Sequence, residues 1–338
     1  MREASLSLPT VDNSMGGASL CQKWVVRNSN PLPDALRGRS FTLSEQRAAG
    51  LRDGRAWNKD LRVASRGVRV PWGATQQLAH TARLLTGISP GTVCCGPTAA
   101  VLWRCPLPFD LERQPLVHLL RWDGGNRPVR KGVSGHRAAL DPADRCVVAG
   151  VPLTSPARTW LDLASLLPLD DLVAAADYFI CSQSRSFGHN RTALCSLGDL
   201  GRQVESNARI RGIRNARLAL GLARVGVDSV PETKLRLAIG RQGLPEPRLR
   251  FVVCDAAGRE LAWPDLAFPR YEVAVNYDGG HHLTAEQKDS DIRRDESITA
   301  IGWTSVTITA RHVRARGFDG VVHRVRHALI RAGWRAEA

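Results

Sequence analysis

Two acids stand out by type and position. Asp265, in Trp-Pro-Asp-Leu-Ala-Phe, and Asp278, in Val-Ala-Val-Asn-Tyr-Asp-Gly-Gly-His-His, fall at the ends of two neighbouring predicted strands. Carboxylates converging on one sheet edge are hard oxygen ligands for Mg²⁺, which keeps several waters and takes only one or two protein carboxylates. A cation held there polarises a phosphodiester and lowers the pKa of a bound water, which makes the nucleophile. Glu232, at the start of a predicted helix, would complete the shell or orient a water. His282 would serve as a general acid/base or hydrogen-bond a phosphate. A lone Asp-Gly is usually a turn, where Asp bonds its own backbone. The weight lies in the whole set falling within one compact unit.

The elements that must position these residues run from 229 to 338. Ser229 caps a helix with Pro231 at its start and Glu232 in its first turn, and Leu235, Leu237, Ala238 and Ile239 give it an apolar face. Strands are predicted over Leu249–Cys254, Leu261–Phe268 and Tyr271–Tyr277, then a helix over Ala285–Ala300. A strand over Trp303–Thr309 and a helix over Gly320–Ala332 close the chain. This order makes an α/β sandwich around a mixed sheet. Side chains two apart in a strand share a face, so Asn276 lies on the face of Ala274 and Asp278.

Upstream, residues 1–40 are rich in Ser, Asn, Pro and Gly and read as a flexible extension. From Phe41 to Val70 the pattern outlines a small winged-helix-like unit. Thr42 or Ser44 caps a short helix with Glu45 in its first turn; a second helix follows over Asp53–Ala64, then a strand from Gly67 closed by Pro71. Residues 73–184 read as an α+β region. Its predicted helices are Ala74–Thr86 and Thr98–Trp103, its strands Pro115–Leu120 and Arg145–Val151, and Arg158–Ile180 is helical throughout. Residues 185–228 form a basic helical linker. Arg209, Arg211, Arg214 and Arg217 crowd one predicted helix there, as a solvated face or as one that contacts phosphates.

The whole chain of 338 residues carries 47 Lys and Arg against 32 Asp and Glu, a net charge of +15, which favours a polyanionic partner, nucleic acid first. No apolar run is long enough to span a bilayer, and the first ten residues lack the pattern of a signal peptide, so a cytoplasmic protein without a membrane partner is expected. The eight cysteines show neither a Cys-x-x-Cys pair nor zinc-ligand spacing and read as small buried hydrophobes.

Taken in order, Ser-Val-Pro-Glu-Thr-Lys-Leu-Arg (229–236), Pro-Asp-Leu-Ala-Phe (264–268), the stretch 273–282, Gln287, Asp291, Arg294 and Gly302-Trp303 resemble the very-short-patch-repair-like endonuclease domain of the PD-(D/E)XK superfamily. Cys95-Gly-Pro-Thr-Ala-Ala-Val-Leu-Trp, the stretch from Gly150 to Ala164, and Leu172-Val-Ala-Ala-Ala-Asp-Tyr are similar to AbiEi-type antitoxin-like proteins, whose winged helix binds DNA. The resemblance implies a restriction-endonuclease-like mixed sheet flanked by helices, DNA as partner and Mg²⁺ or another divalent cation as cofactor. Asp265 and Asp278 would be its metal ligands, with Glu232 and His282 as further catalytic residues. Arg211, Arg214, Arg217 and Arg294 are the expected DNA contacts. The family usually has Glu at the place of Asn276 and often Arg at that of Thr307. Very-short-patch-repair enzymes also lack that Glu and cut with the Asp, a main-chain oxygen and nearby His residues, a route that His281-His282 keeps open. The expected activity is Mg²⁺-dependent DNA cleavage. The alternative is a non-cutting DNA-binding regulator or antitoxin-like module, with a toxin or another protein as partner.

Overall fold

The computed structural model describes residues 31–74, 77–182, 192–279 and 296–336. The chain is mixed α/β throughout. Packing begins before the expected boundary at Phe41: Leu32 and Leu36 are buried against Phe41 and Leu61, so the last ten residues of the predicted extension belong to the folded unit.

In that unit β1 (Phe41–Thr42) leads into α1 (Leu43–Ala48), and β2 (Leu61–Ser65) and β3 (Val68–Pro71) form a hairpin, giving an antiparallel sheet of order β1-β3-β2. The predicted cap is present: the Thr42 hydroxyl accepts the Glu45 N–H at 3.1 Å while Glu45 accepts the Thr42 N–H at 2.8 Å. The second helix expected over Asp53–Ala64 is instead a 3-10 turn, Asp53–Trp57, followed by β2. Leu61 pairs opposite Pro71 and Val63 opposite Arg69, so ladder pairing prevails over helical propensity.

The middle region holds α2 (Leu78–Gly87), β4 (Thr92–Cys94), α3 (Gly96–Leu102), α4 (Phe109–Glu112), β5 (Val117–Arg121), β6 (Val133–Arg137), β7 (Arg145–Val148) and β8 (Val151–Thr154). The strands make a mixed sheet of order β6-β5-β4-β8-β7. The single strand expected over Arg145–Val151 is a hairpin, turned at Ala149 and Gly150, both of positive φ. Four helices follow: α5 (Pro156–Leu163), α6 (Leu169–Ile180), α7 (Leu197–Ser206) and α8 (Ile213–Leu222). Trp160, Leu161, Leu172, Phe179, Leu200 and Ala219 fill the core between them. The helical stretch expected as one from Arg158 to Ile180 breaks at Pro168, the N-cap of α6.

The C-terminal region starts with α9 (Val230–Arg241), followed by a hairpin of β9 (Val253–Cys254) and β10 (Glu260–Ala262). Next come β11 (Leu266–Phe268), β12 (Val273–Asp278), β13 (Thr304–Thr309) and α10 (Ala310–Arg331). β11 runs antiparallel to β12 and β13 parallel to it, so the sheet is mixed, of order β11-β12-β13. One face, through Leu266, Val273, Val275, Val306 and Ile308, packs on α9 and α10. The other, through Ala274, meets Val253, Ala262 and Ile298. The strand expected over Leu261–Phe268 is divided between β10 and β11 by Trp263-Pro264-Asp265. Of the helix expected over Ala285–Ala300, residues 296–300 are described and helical. No described helix is long and apolar enough to cross a membrane. Cys94, Cys95, Cys105 and Cys181 are buried, whereas Cys254 is exposed.

Candidate acidic site

The site lies where the N-terminus of α9 meets the open ends of β11 and β12. Ser229 accepts the Glu232 N–H at 3.4 Å and donates its hydroxyl to Glu232 Oε1 at 2.7 Å, while Oε2 accepts the Asp228 N–H at 3.1 Å. The same cap that starts the helix thus fixes the buried Glu232 carboxyl. A second device fixes the helix. Arg236, one turn on, is buried against Asp177 of α6 at 3.2 Å, and Asp177 also accepts the Thr233 hydroxyl at 2.9 Å and the Arg224 N–H at 2.7 Å. Lys234 reaches Asp171 at 2.6 Å, and Arg241 ties Asp170 of α6 to Asp319 of α10. The α/β unit is therefore bolted to the helical layer before it through the face of α9 adjoining Glu232.

Asp265 directly precedes β11. Leu266 pairs with Val275, so Asp265 stands opposite Asn276, and Asn276 is in register with Thr307 on β13. Because β11 begins only at Leu266, the Tyr277 N–H has no ladder acceptor there, and Asp265 Oδ2 takes that place at 2.7 Å. The Asp265 N–H in turn donates to Asn276 Oδ1 at 3.3 Å. Asp278 shares the Asn276 face, two residues further along β12, about 6.8 Å beyond the position facing Asp265. Its strand partner is Thr309.

The electrostatics join Glu232 to Asp265. Burial pushes the Glu232 carboxyl up to about 7, and the charges of Asp265 and Asp228 push the same way, against the pull of the Ser229 and Asp228 hydrogen bonds. The Asp265 charge is felt by the Glu232 carboxyl across the helix–sheet junction, which suits a hard cation drawn to the negative potential there. Among the described residues no three His, Cys, Asp or Glu side chains gather as a metal cage. Asp265 and Glu232 each accept hydrogen bonds from the protein, so a cation there would keep most of its water. Asn276 adds no charge, and its carbonyl oxygen is engaged by the Asp265 backbone.

No protein-family model matches the chain, and no solved structure matches it. Two relatives from strains of Mycobacterium tuberculosis, uncharacterized protein MT2308 and uncharacterized protein Rv2248, are each 28% identical to it over 262 residues. The alignment covers 75% of this chain and 90% of theirs. Neither name carries an activity.

Of the residues singled out in the sequence, Glu232 and Asp265 are brought together, and Asp278 lies one same-face step further out. His282 and Arg294, with His281, Gln287 and Asp291, lie outside the described residues. The four arginines expected on one helix are divided: Arg209 and Arg211 precede α8, whose N-cap is Gly212, and Arg214 and Arg217 lie on it. All four are exposed, and none has an ion pair among the described residues. Sequence reasoning missed the Asp177–Arg236 pair, because nothing local joins residues 59 positions apart. It also passed over the crowd of Arg and His on α10, although their types are plain in the sequence.

Proposed function

We propose that the chain binds DNA and that its C-terminal α/β unit carries a divalent-cation-dependent phosphodiester-hydrolysing site. The observation behind this reading is the buried Glu232 carboxyl, held by the α9 cap and raised by the charge of Asp265, which itself accepts the Tyr277 N–H. A helix, antiparallel strands, a parallel strand and a closing helix also suit the restriction-endonuclease-like core that the sequence resemblance implies.

Asp265 and Asp278 would hold Mg²⁺ or a similar cation, which when bound polarises a phosphate oxygen and lowers the pKa of a water. Asp265 is oriented by the hydrogen bond that its Oδ2 accepts from the β12 backbone. Glu232, which titrates near 7, is poised to take a proton from the attacking water, since a base works best when its pKa lies near the operating pH. Asn276 favours a second reading, a module that grips DNA without cutting it, because a neutral amide stands where a third charge would draw a cation.

Calorimetric titration with Mg²⁺ and with Mn²⁺ tests the site. The expected result is saturable binding at pH 7, abolished in Asp265→Ala and accompanied by proton release that disappears in Glu232→Gln. Absence of cation binding, or binding indifferent to Asp265→Ala, would leave the second reading standing.

A further inference from the structure

The closing helix is broken in a way that gathers positive charge. Gly317, at φ 66° and ψ 172°, interrupts α10. This backbone region is essentially open to glycine alone. Residues on both sides of the break then line one cavity. A cavity of about 520 Å³ opens in the bend, lined by Arg311, His312, Arg316, His323 and Arg324. A second, of about 370 Å³, follows along β13. Its walls are residues 304–307 on the strand and His323, Arg324, His327 and Arg331 on the helix, so His323 and Arg324 belong to both. The His312 imidazole is held below its ordinary value, by desolvation first and then by Arg324, Arg311 and Arg316.

Among the described residues this crowded charge is left without acidic partners. Asp319, the acid on this helix, is paired with Arg241. Arg311, Arg316, Arg324 and Arg331 are exposed and have no ion pair among the described residues. β13 is the edge of its sheet among the described residues. A second copy laid along that edge would bring two basic helices face to face, so strand addition by the chain itself is disfavoured. The stretch from Phe318 to Arg331 is about 21 Å long, longer than one phosphate and enough for several along one strand. Register adds direction: Asp265, Asn276 and Thr307 form one row across the sheet, so Thr307, which lines the groove, stands about two strand spacings, ~10 Å, from Asp265.

We infer that the groove between the β13 edge and the kinked C-terminal helix is a track for the phosphodiester backbone of DNA, with Arg316, Arg324 and Arg331 as its phosphate contacts. It rests on the DNA-directed reading above and adds the path by which the strand approaches the acids.

The test is binding of a fluorescein-labelled DNA duplex to the full-length protein in EDTA, followed by anisotropy over a range of salt. In EDTA binding is read without hydrolysis. A protein that binds through the groove but never cuts would uphold the track and overturn only the catalytic reading. Each phosphate contact contributes a slope of about 0.9 in log K against log salt. Arg324→Gln with Arg331→Gln is therefore expected to flatten the slope by about 1.8 and to weaken binding at least about tenfold near 0.1 M salt. The Arg324→Lys, Arg331→Lys protein is expected to recover most of the slope. These side chains are exposed, so folding is retained. Unchanged slope and affinity in the Gln variant would overturn the inference. So would competition by poly-glutamate as effective as that of unlabelled duplex at equal charge, which would assign the groove to an acidic protein.

Discussion

Glu232 gives the most quantitative handle on the acidic site. Its carboxyl titrates at about 7 in the folded chain against an ordinary value of 4.5, first because it is buried and next because Asp265 is charged. A raised carboxyl binds its proton more tightly in the folded state. The associated stability is fully present below pH 4.5 and is lost progressively as pH rises through about 7. At about 1.36 kcal/mol per pH unit the loss is about 3 kcal/mol. Glu232→Gln removes the charge and can keep the cap, its amide oxygen accepting the Asp228 N–H and its amide nitrogen donating to Ser229. Urea denaturation in EDTA is expected to find the two proteins of similar stability at pH 5. The variant should then gain on wild type as pH rises, by up to about 3 kcal/mol at pH 8. Millimolar Mg²⁺ should close part of that gap by stabilising wild type alone. A difference that stays flat across this range, or one that grows toward acid, would refute the assignment of Glu232 as a strained neighbour of Asp265.

Other expectations follow from the same contacts. Asp177→Ala leaves the buried Arg236 guanidinium with the more distant Glu246 at 3.6 Å as its ion partner and removes the acceptor of the Thr233 hydroxyl and the Arg224 N–H, so it should cost about 3 kcal/mol in the urea midpoint analysis, whereas exposed Arg217→Ala should change stability little. Asn276→Asp retains an acceptor for the Asp265 N–H while adding a charge. It should tighten Mn²⁺ binding about tenfold, about 1.4 kcal/mol, in calorimetry; equal or weaker binding would mean that this position does not face the cation.

Local chemistry announced part of this architecture. Ser229, Pro231 and Glu232 spell a helix start that needs no tertiary support, and the alternation along Val273–Asp278 places Asn276 beside Asp278. The pairing of Asp265 with Asn276 depended on where β11 begins. Pro264, lacking an N–H, interrupts what reads as one apolar strand and so frees Asp265 to bond the Tyr277 backbone. Two strands of the five-stranded sheet were hidden for different reasons. β4 has only three residues, and β6 contains Gly135, which a weak propensity discounts but which the fold requires. A Cβ there would lie 1.9 Å from the Pro128 carbonyl oxygen. The closing helix reads as starting at Gly320 because its glycines look like a boundary. Thr309 caps a first helical stretch at Ala310, and the non-helical Gly317 separates it from the main helix, whose start lies close to the expected one. The buried Asp177–Arg236 pair joins elements far apart in sequence, and no spacing rule reaches that distance.

The most direct test of the central claim is incubation of the full-length protein with supercoiled plasmid DNA and Mg²⁺ or Mn²⁺, beside the Asp265→Ala protein. The acidic-site account predicts cation-dependent nicking by wild type and none by the variant. It would be contradicted by an intact plasmid with wild type under conditions where DNA is bound, or by equal nicking from both proteins.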